Sequence, residues 1–454
     1  MIKNTTFHLF GAIIAAGILS FSGVLIETAM NVTFPSLIQE FGVTTSGIQW
    51  VTTIYLLMIS VIVPISSYLN QNFSIRNLFI TANLFFLSGV LANCFSPSFP
   101  LLLLGRLLQG VGTGIGLPLM FHIILTKAPI EKRGMMMGIG TMTTSIAPAI
   151  GPTYGGLLSS LLNWRYIYIF LIPLIIFSLV LGLYSIPNEG SKEKQSLHFS
   201  CVFLLAITFT FLIMALSSES GTVFVIFLAL GIISGLLFLR SNHKAPLLHI
   251  SVLKNRRFSV LLFCLLIYQA LLLGLSFILP NYLQISAGFS SSIAGFFMFP
   301  GALVAAILAP LSGGLLDRIG ASKPILAGLF TANTGIVLLM LLLHTNSLIF
   351  LIVAHLFLMT GLGFSYSNLM TCSLSALPVS QISDGNAFVN TFQQFIGAAA
   401  TALAAAVLSF AQKKNGFITG TASGTWVVLL IFFFLLAVSA IVAFLSLSKK
   451  NNSN

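Results

Sequence analysis

Apolar stretches of about 20 residues recur along almost the whole chain, and they settle which solvent the fold must face. A helix rising ~1.5 Å per residue crosses a ~30 Å hydrocarbon core in ~20 residues. Only 6% of the residues are charged, against about a quarter in ordinary soluble domains. So few charges cannot build a water-facing surface. A membrane β-barrel needs alternating segments of about 10 residues, and none dominate here. The expected class is therefore an all-α polytopic membrane protein.

Breaks at Gly, Pro and charge clusters divide the chain into fourteen predicted spans: 8–34, 47–69, 76–95, 101–126, 134–160, 164–186, 198–217, 222–240, 257–284, 292–316, 323–344, 347–377, 385–411 and 424–447. The first apolar segment is too long for a signal-peptide core and is expected to stay as the first span. An even count puts both termini on one side. Sixteen of the 20 basic residues then share that side, among them Lys3, Arg76, Lys127, Lys132, Arg133, Lys192, Lys194, Arg256, Arg257, Arg318, Lys449 and Lys450. The other side keeps Arg165, Lys413 and Lys414, and Arg106 lies within a span. By the positive-inside rule both termini are cytoplasmic in a cell membrane. The net charge of +12 is thus a set of topology signals rather than a nucleic-acid-binding face. Cys94, Cys201, Cys264 and Cys372 have neither metal-ligand spacing nor a disulfide pattern.

The chain also carries a repeat. Pro35 and Gln39 close the first span, and Pro280 and Gln284 close the ninth, 245 positions later. Ser67 and Leu69 in the following inner turn match Gly313 and Leu315, 246 positions on. Matching segments start on the same side, so the halves are parallel repeats, a recurring transporter plan. The expected organisation is a six-helix half over 1–190, two inserted spans and a linker over 191–245, and a second six-helix half over 246–454.

Four segments carry a family resemblance. In the fifth span, GTMTTSIAPAIGPTYGGL (140–157) contains Pro148 and a GPxxGG core of Gly151, Pro152, Gly155 and Gly156. In the fourth, Arg106, Gln109, Gly110, Gly112 and Gly114 form RxxQGxGxG. Gly313-Gly-Leu-Leu-Asp317-Arg318-Ile-Gly320 follows the tenth span. In the first half its counterpart is degraded, with Ser67 for Gly and Gln71 for Asp. Glu27-Thr-Ala-Met-Asn31-Val-Thr-Phe-Pro35 ends the first span. Outside these four, Gln49-Trp50 with Tyr55 is a weaker QWxxxxY match in the second span. Together these resemble the major facilitator superfamily, in its fourteen-span drug/proton antiporter branch (QacA/EmrB-like). The acidic first-span motif is a partial match, with Ile26, Thr33 and Phe34 in place of Asn, Ala and Leu.

The resemblance implies the major facilitator fold, two six-helix halves rocking about a central site, and proton-coupled export of small lipophilic, often cationic, compounds. A dedicated exporter of one endogenous metabolite, peptide or lipid-like molecule is the alternative. The expected partners are small molecules, protons and the bilayer. No nucleic acid, partner protein, metal or cofactor is implied. No phosphate-binding glycine loop and no nucleophile-with-base arrangement suggests an enzyme.

Glu27 is the one carboxylate well inside a predicted span, and an Arg such as Arg106 within lipid needs a partner or an aqueous cavity. Both fall toward the outer ends of their spans, so they are expected to face each other or a shared cavity. Desolvation favours a protonated carboxylate, while a nearby guanidinium favours the ionised form. A helix shift that alters either balance would let Glu27 take up and release a proton. Candidate substrate-cavity residues are Asn31, Tyr55, Gln109, Tyr268, Phe296, Met298 and the i,i+4 pair Asn390 and Gln394. His122 and His355 also lie within spans.

Overall fold

The computed structural model describes residues 8–187, 199–218, 220–244, 246–345 and 347–448. Lys3, Lys192, Lys194, Lys449 and Lys450, used above to orient the chain, lie outside the described residues. Long helices account for nearly all of the described chain, and no strand occurs among the described residues. In order they are α1 (Leu9–Asn31), α2 (Trp50–Ile62), α3 (Ile75–Cys94), α4 (Phe99–Lys127), α5 (Ile130–Leu161), α6 (Leu171–Ser185), α7 (Phe199–Ser217), α8 (Gly221–Lys244), α9 (Arg256–Asn281), α10 (Ser291–Ile319), α11 (Ser322–Leu342), α12 (Leu348–Leu374), α13 (Ile382–Asn415) and α14 (Phe417–Ser448). Among the described residues, thirteen helical segments are long and apolar enough to cross a membrane. α5, at 32 residues, makes the set compatible with fourteen.

Short polar punctuation sets the helix ends. Ser74, Asn255 and Ser290 cap α3, α9 and α10 by accepting backbone N–H bonds from the first turn. Gly320, at φ +81, ends α10 in a conformation that side-chain-bearing residues rarely adopt. Its N–H returns to the Leu316 carbonyl.

α1 packs on α4, α5 and α6, and α9 packs on α12, α13 and α14, so each half surrounds its own first helix. The halves meet along two seams, α5 against α10 and α2 against α13. The inserted α7 lies on α13 and α2, and α8 packs on α7. Phe209 of α7 stacks on Phe395 of α13 at 4.1 Å between ring centroids. Gln49, at the start of α2, donates to Ser217 of α7.

Two expectations need correcting. The Gly313–Gly320 motif is not a loop. It forms the last turns of α10, and only Gly320 makes the turn. Arg318 is exposed there, and the Asp317 side chain lies outside the described residues. Phe296 does not face the bundle centre. It is 51% exposed and lines up with Leu303, Ile307 and Leu311 on the uncovered face of α10.

Candidate transport site

The antiporter-type motif builds the end of the bundle remote from the chain termini. Gly151 lies against Thr28 and the Leu25 carbonyl of α1, and a Cβ on Gly155 would collide with the Ala29 backbone. A Cβ on Gly156 would collide with the Ser291 carbonyl of α10, and Gly295 meets the Pro152 carbonyl in return. Three backbones therefore touch where side chains would hold them apart. Pro148 is half-buried within the same helix. Hydrogen bonds join the halves at this end: Thr153 to the Gly295 carbonyl (3.3 Å), Ser291 to the Gly156 carbonyl (3.4 Å) and Ser160 with Ser292. Thr45 donates to Gln412 across the other seam at 2.7 Å, and Gln284 donates to the Val32 carbonyl at 2.8 Å.

Between the halves, Asn31 accepts from Thr52 at 2.8 Å and donates to Ser276 of α9 at 2.9 Å. One helical turn before Asn31, Glu27 is 7% exposed. No hydrogen bond or ion pair joins its carboxylate to a described residue. Its face of α1 is turned to Tyr55: a Cβ on Gly23, one turn before Glu27, would lie 3.0 Å from the Tyr55 hydroxyl.

Arg106 is fully buried. Its Nε donates to the Val51 carbonyl at 2.8 Å, and one terminal nitrogen donates to Gln109 Oε1 at 2.9 Å. The guanidinium carbon lies 4.2 Å from the centre of the Tyr55 ring, a cation–π contact. Tyr55 in turn donates to Thr113 at 2.8 Å. Tyr55 thus stands between Arg106 and the face of α1 that carries Gly23 and Glu27, and no ion pair joins Glu27 to Arg106 among the described residues. The glycines after Arg106 make this possible: Gly110 meets the Tyr55 carbonyl and Gly112 the Ala82 carbonyl, drawing α4 against α2 and α3.

The remaining expected cavity residues scatter. Tyr268 is fully buried and accepts from Ser365 at 2.6 Å, which makes it packing between α9 and α12. Met298 is buried in α10. Half-buried Asn390 donates to the carbonyl of Asn386, one turn back. Gln394 keeps its Oε1 enclosed, with no partner among the described residues. Sequence reasoning missed three residues of the second half. Tyr366 donates to Gln269 Oε1 at 2.6 Å and accepts from Gln393 Nε2 at 2.7 Å. Gln393 adjoins Gln394, so an amide pair was the available signal. Gln269 and Tyr366 had none.

The sequence matches the Major Facilitator Superfamily model over residues 16–402. It is 35% identical over 400 residues to the lincomycin resistance protein LmrB of Listeria monocytogenes, covering 87% of this chain and 85% of that protein. It is 32% identical over 410 residues to the uncharacterized MFS-type transporter YcnB of Bacillus subtilis, covering 88% and 87%. Among solved structures, a peptide transporter POT in complex with sulfate superposes at TM-score 0.69 with 16% identity, covering 96% of this chain and 95% of that one. A bacterial homolog of the human lysosomal transporter Spinster superposes at TM-score 0.66, also with 16% identity, covering 97% of each chain. The two-half helical bundle has the fold of these transporters, and the chain belongs to the major facilitator superfamily.

Proposed function

We propose that this protein is a proton-coupled exporter of small lipophilic, often cationic, compounds, working by alternating access in the cell membrane with both termini cytoplasmic. The observation that carries the reading is the placement of Glu27. An intramembrane carboxylate is a functional candidate by default. This one is buried one turn before the Asn31–Ser276 bond that joins the halves, with no ion pair to a described residue. A carboxylate locked in an ion pair would be held ionised, whereas an unpaired one is free to change state as helices move. If substrate binding favours the ionised form, proton uptake and substrate release become linked and exchange follows. The resistance function named for the LmrB relatives supports drug export here.

The test is efflux from energised everted vesicles. Glu27→Gln keeps the side-chain shape and removes the titrating proton. The variant should reach the membrane folded and lose pH-gradient-driven export, while an uncoupler should abolish export by the parent protein. Uphill export by Glu27→Gln at the parent rate would sink the reading.

A further inference from the structure

Glu27 belongs to the first half, and an alternating-access site is shared by two. Gln269 on α9, Tyr366 on α12 and Gln393 on α13 form one hydrogen-bonded chain through the Tyr366 hydroxyl. Gln269 and Gln393 are 8% and 7% exposed. A bland account is available, because buried amides in membranes often just bond helix to helix. Polar glue of that kind consumes both ends of each amide, since an amide has both donor and acceptor capacity to satisfy. Here each amide spends one end. Gln269 Nε2 and Gln393 Oε1 have no partner among the described residues, and neither atom is walled in. That separates them from Gln109 Nε2 and Gln394 Oε1, which are enclosed and unpartnered. The chain therefore ends in one free donor and one free acceptor, held either side of a phenol. Gln269 lies two turns before Ser276 on α9, and Ser276 bonds Asn31, one turn after Glu27 on α1.

We infer that Gln269 and Gln393, braced by Tyr366, are the second half's share of the substrate site, hydrogen-bonding a hydroxyl or amide of a molecule whose ammonium group lies at Glu27. The favoured class is then amino-alcohols and amino-amides rather than bare lipophilic cations. A hydroxyl both donates and accepts, so it can take the Gln269 N–H and give to the Gln393 carbonyl oxygen. Tyr366 is a positioning residue, because its hydroxyl is already committed to both amides. This rests on the reading of Glu27 as the substrate-facing acid.

The experiment uses the full chain in lipid nanodiscs and two probes differing in one hydroxyl: propranolol, an amino-alcohol, and its deoxy analogue. The parent protein should bind propranolol more tightly by about tenfold, the worth of one or two net hydrogen bonds. In Gln269→Leu and Gln393→Leu that ratio should fall to about twofold or less, for want of a bonding end. Thermal melting identifies folded samples. If either variant fails to fold, Tyr366→Phe keeps the ring, releases both amides and should also lower the ratio. Equal binding of the two probes by the parent would overturn the inference. So would an unchanged ratio in the folded variants, even with both affinities reduced together, since that is the behaviour of structural glue. Failure of the underlying reading looks different: Glu27→Gln would then leave the affinity of both amines as it was.

Discussion

Asn31 and Ser276 stand 245 positions apart, the offset that relates Pro35 to Pro280, and they hydrogen-bond to each other at 2.9 Å. Two residues at equivalent places in parallel repeats can meet only near the axis that relates the repeats. The bond therefore marks that axis, and it lies at the end where Gly156, Ser160 and Thr153 also join the halves. Opening this end requires the bond to break. Ser276→Ala should shift the population toward the conformation open here by about fivefold, one net hydrogen bond. Cross-linking of Ser160→Cys to Ser292→Cys reads the change, because those hydroxyls touch and the four native cysteines are buried. Cross-linking yield equal with and without Ser276→Ala would show that the bond is idle.

Arg106 ties α4 to the Val51 carbonyl and to Gln109 through its planar fork, and the proposed coupling gives its charge a second job at Glu27; two substitutions separate them. Arg106→Lys keeps the charge and loses the fork. It should lower the melting temperature yet leave the pH profile of export close to that of the parent. Arg106→Ala should lower the melting temperature and displace the profile as well. A parental pH profile in Arg106→Ala would remove Arg106 from the coupling.

Gly156 is predicted to tolerate no side chain. Alanine there would strike the Ser291 carbonyl and crowd the Gly295 Cα at 3.1 Å, an overpacking cost of about 1–3 kcal/mol. Gly313→Ala, with open space around it, should leave the melting temperature level or slightly higher. Melting curves of the two variants side by side check the contrast.

Proton and cationic substrate should compete at Glu27, since one carboxylate cannot hold a proton and pair with a cation at once. Lowering the pH on the side to which the site is open should weaken binding of a cationic dye and spare a neutral ligand. Titrations of both ligands across the acid range are the measurement. Equal sensitivity would favour coupling through helix movement alone.

Much of this was legible in the sequence, for physical reasons that also mark where legibility stopped. Apolar length, broken at Gly, Pro and charge clusters, foretold the run of long helices, because lipid enforces that length. The motif glycines foretold close backbone contacts. Asn31 on the last turn of α1 bonds Thr52 of α2, whose Tyr55 lies under the Arg106 guanidinium. Which face of an apolar helix turns inward was not legible, because lipid and protein core are about equally apolar. Phe296 was expected at the centre and lies on the exposed face, whereas its neighbour Phe297 is buried against the His355 ring at 5.0 Å. The i,i+4 spacing singled out Asn390 and Gln394, yet Gln393, about 100° round the helix, is the residue that joins Tyr366. Gln269 and Tyr366 are lone polar residues on separate helices, and only their tertiary meeting distinguishes them.

The inserted pair has a consequence for traffic from the bilayer. A bundle of two equivalent halves would present matching flanks, one along α5 and α10, the other along α2 and α13. Here α7 lies across the second, with Phe209 wedged against Phe395 and Ser217 held by Gln49, and α8 stands outside it. Molecules dissolved in the membrane therefore meet an asymmetric wall. The α2–α13 flank is covered by a ring-on-ring contact, and among the described residues no added helix lies across the junction along α5 and α10.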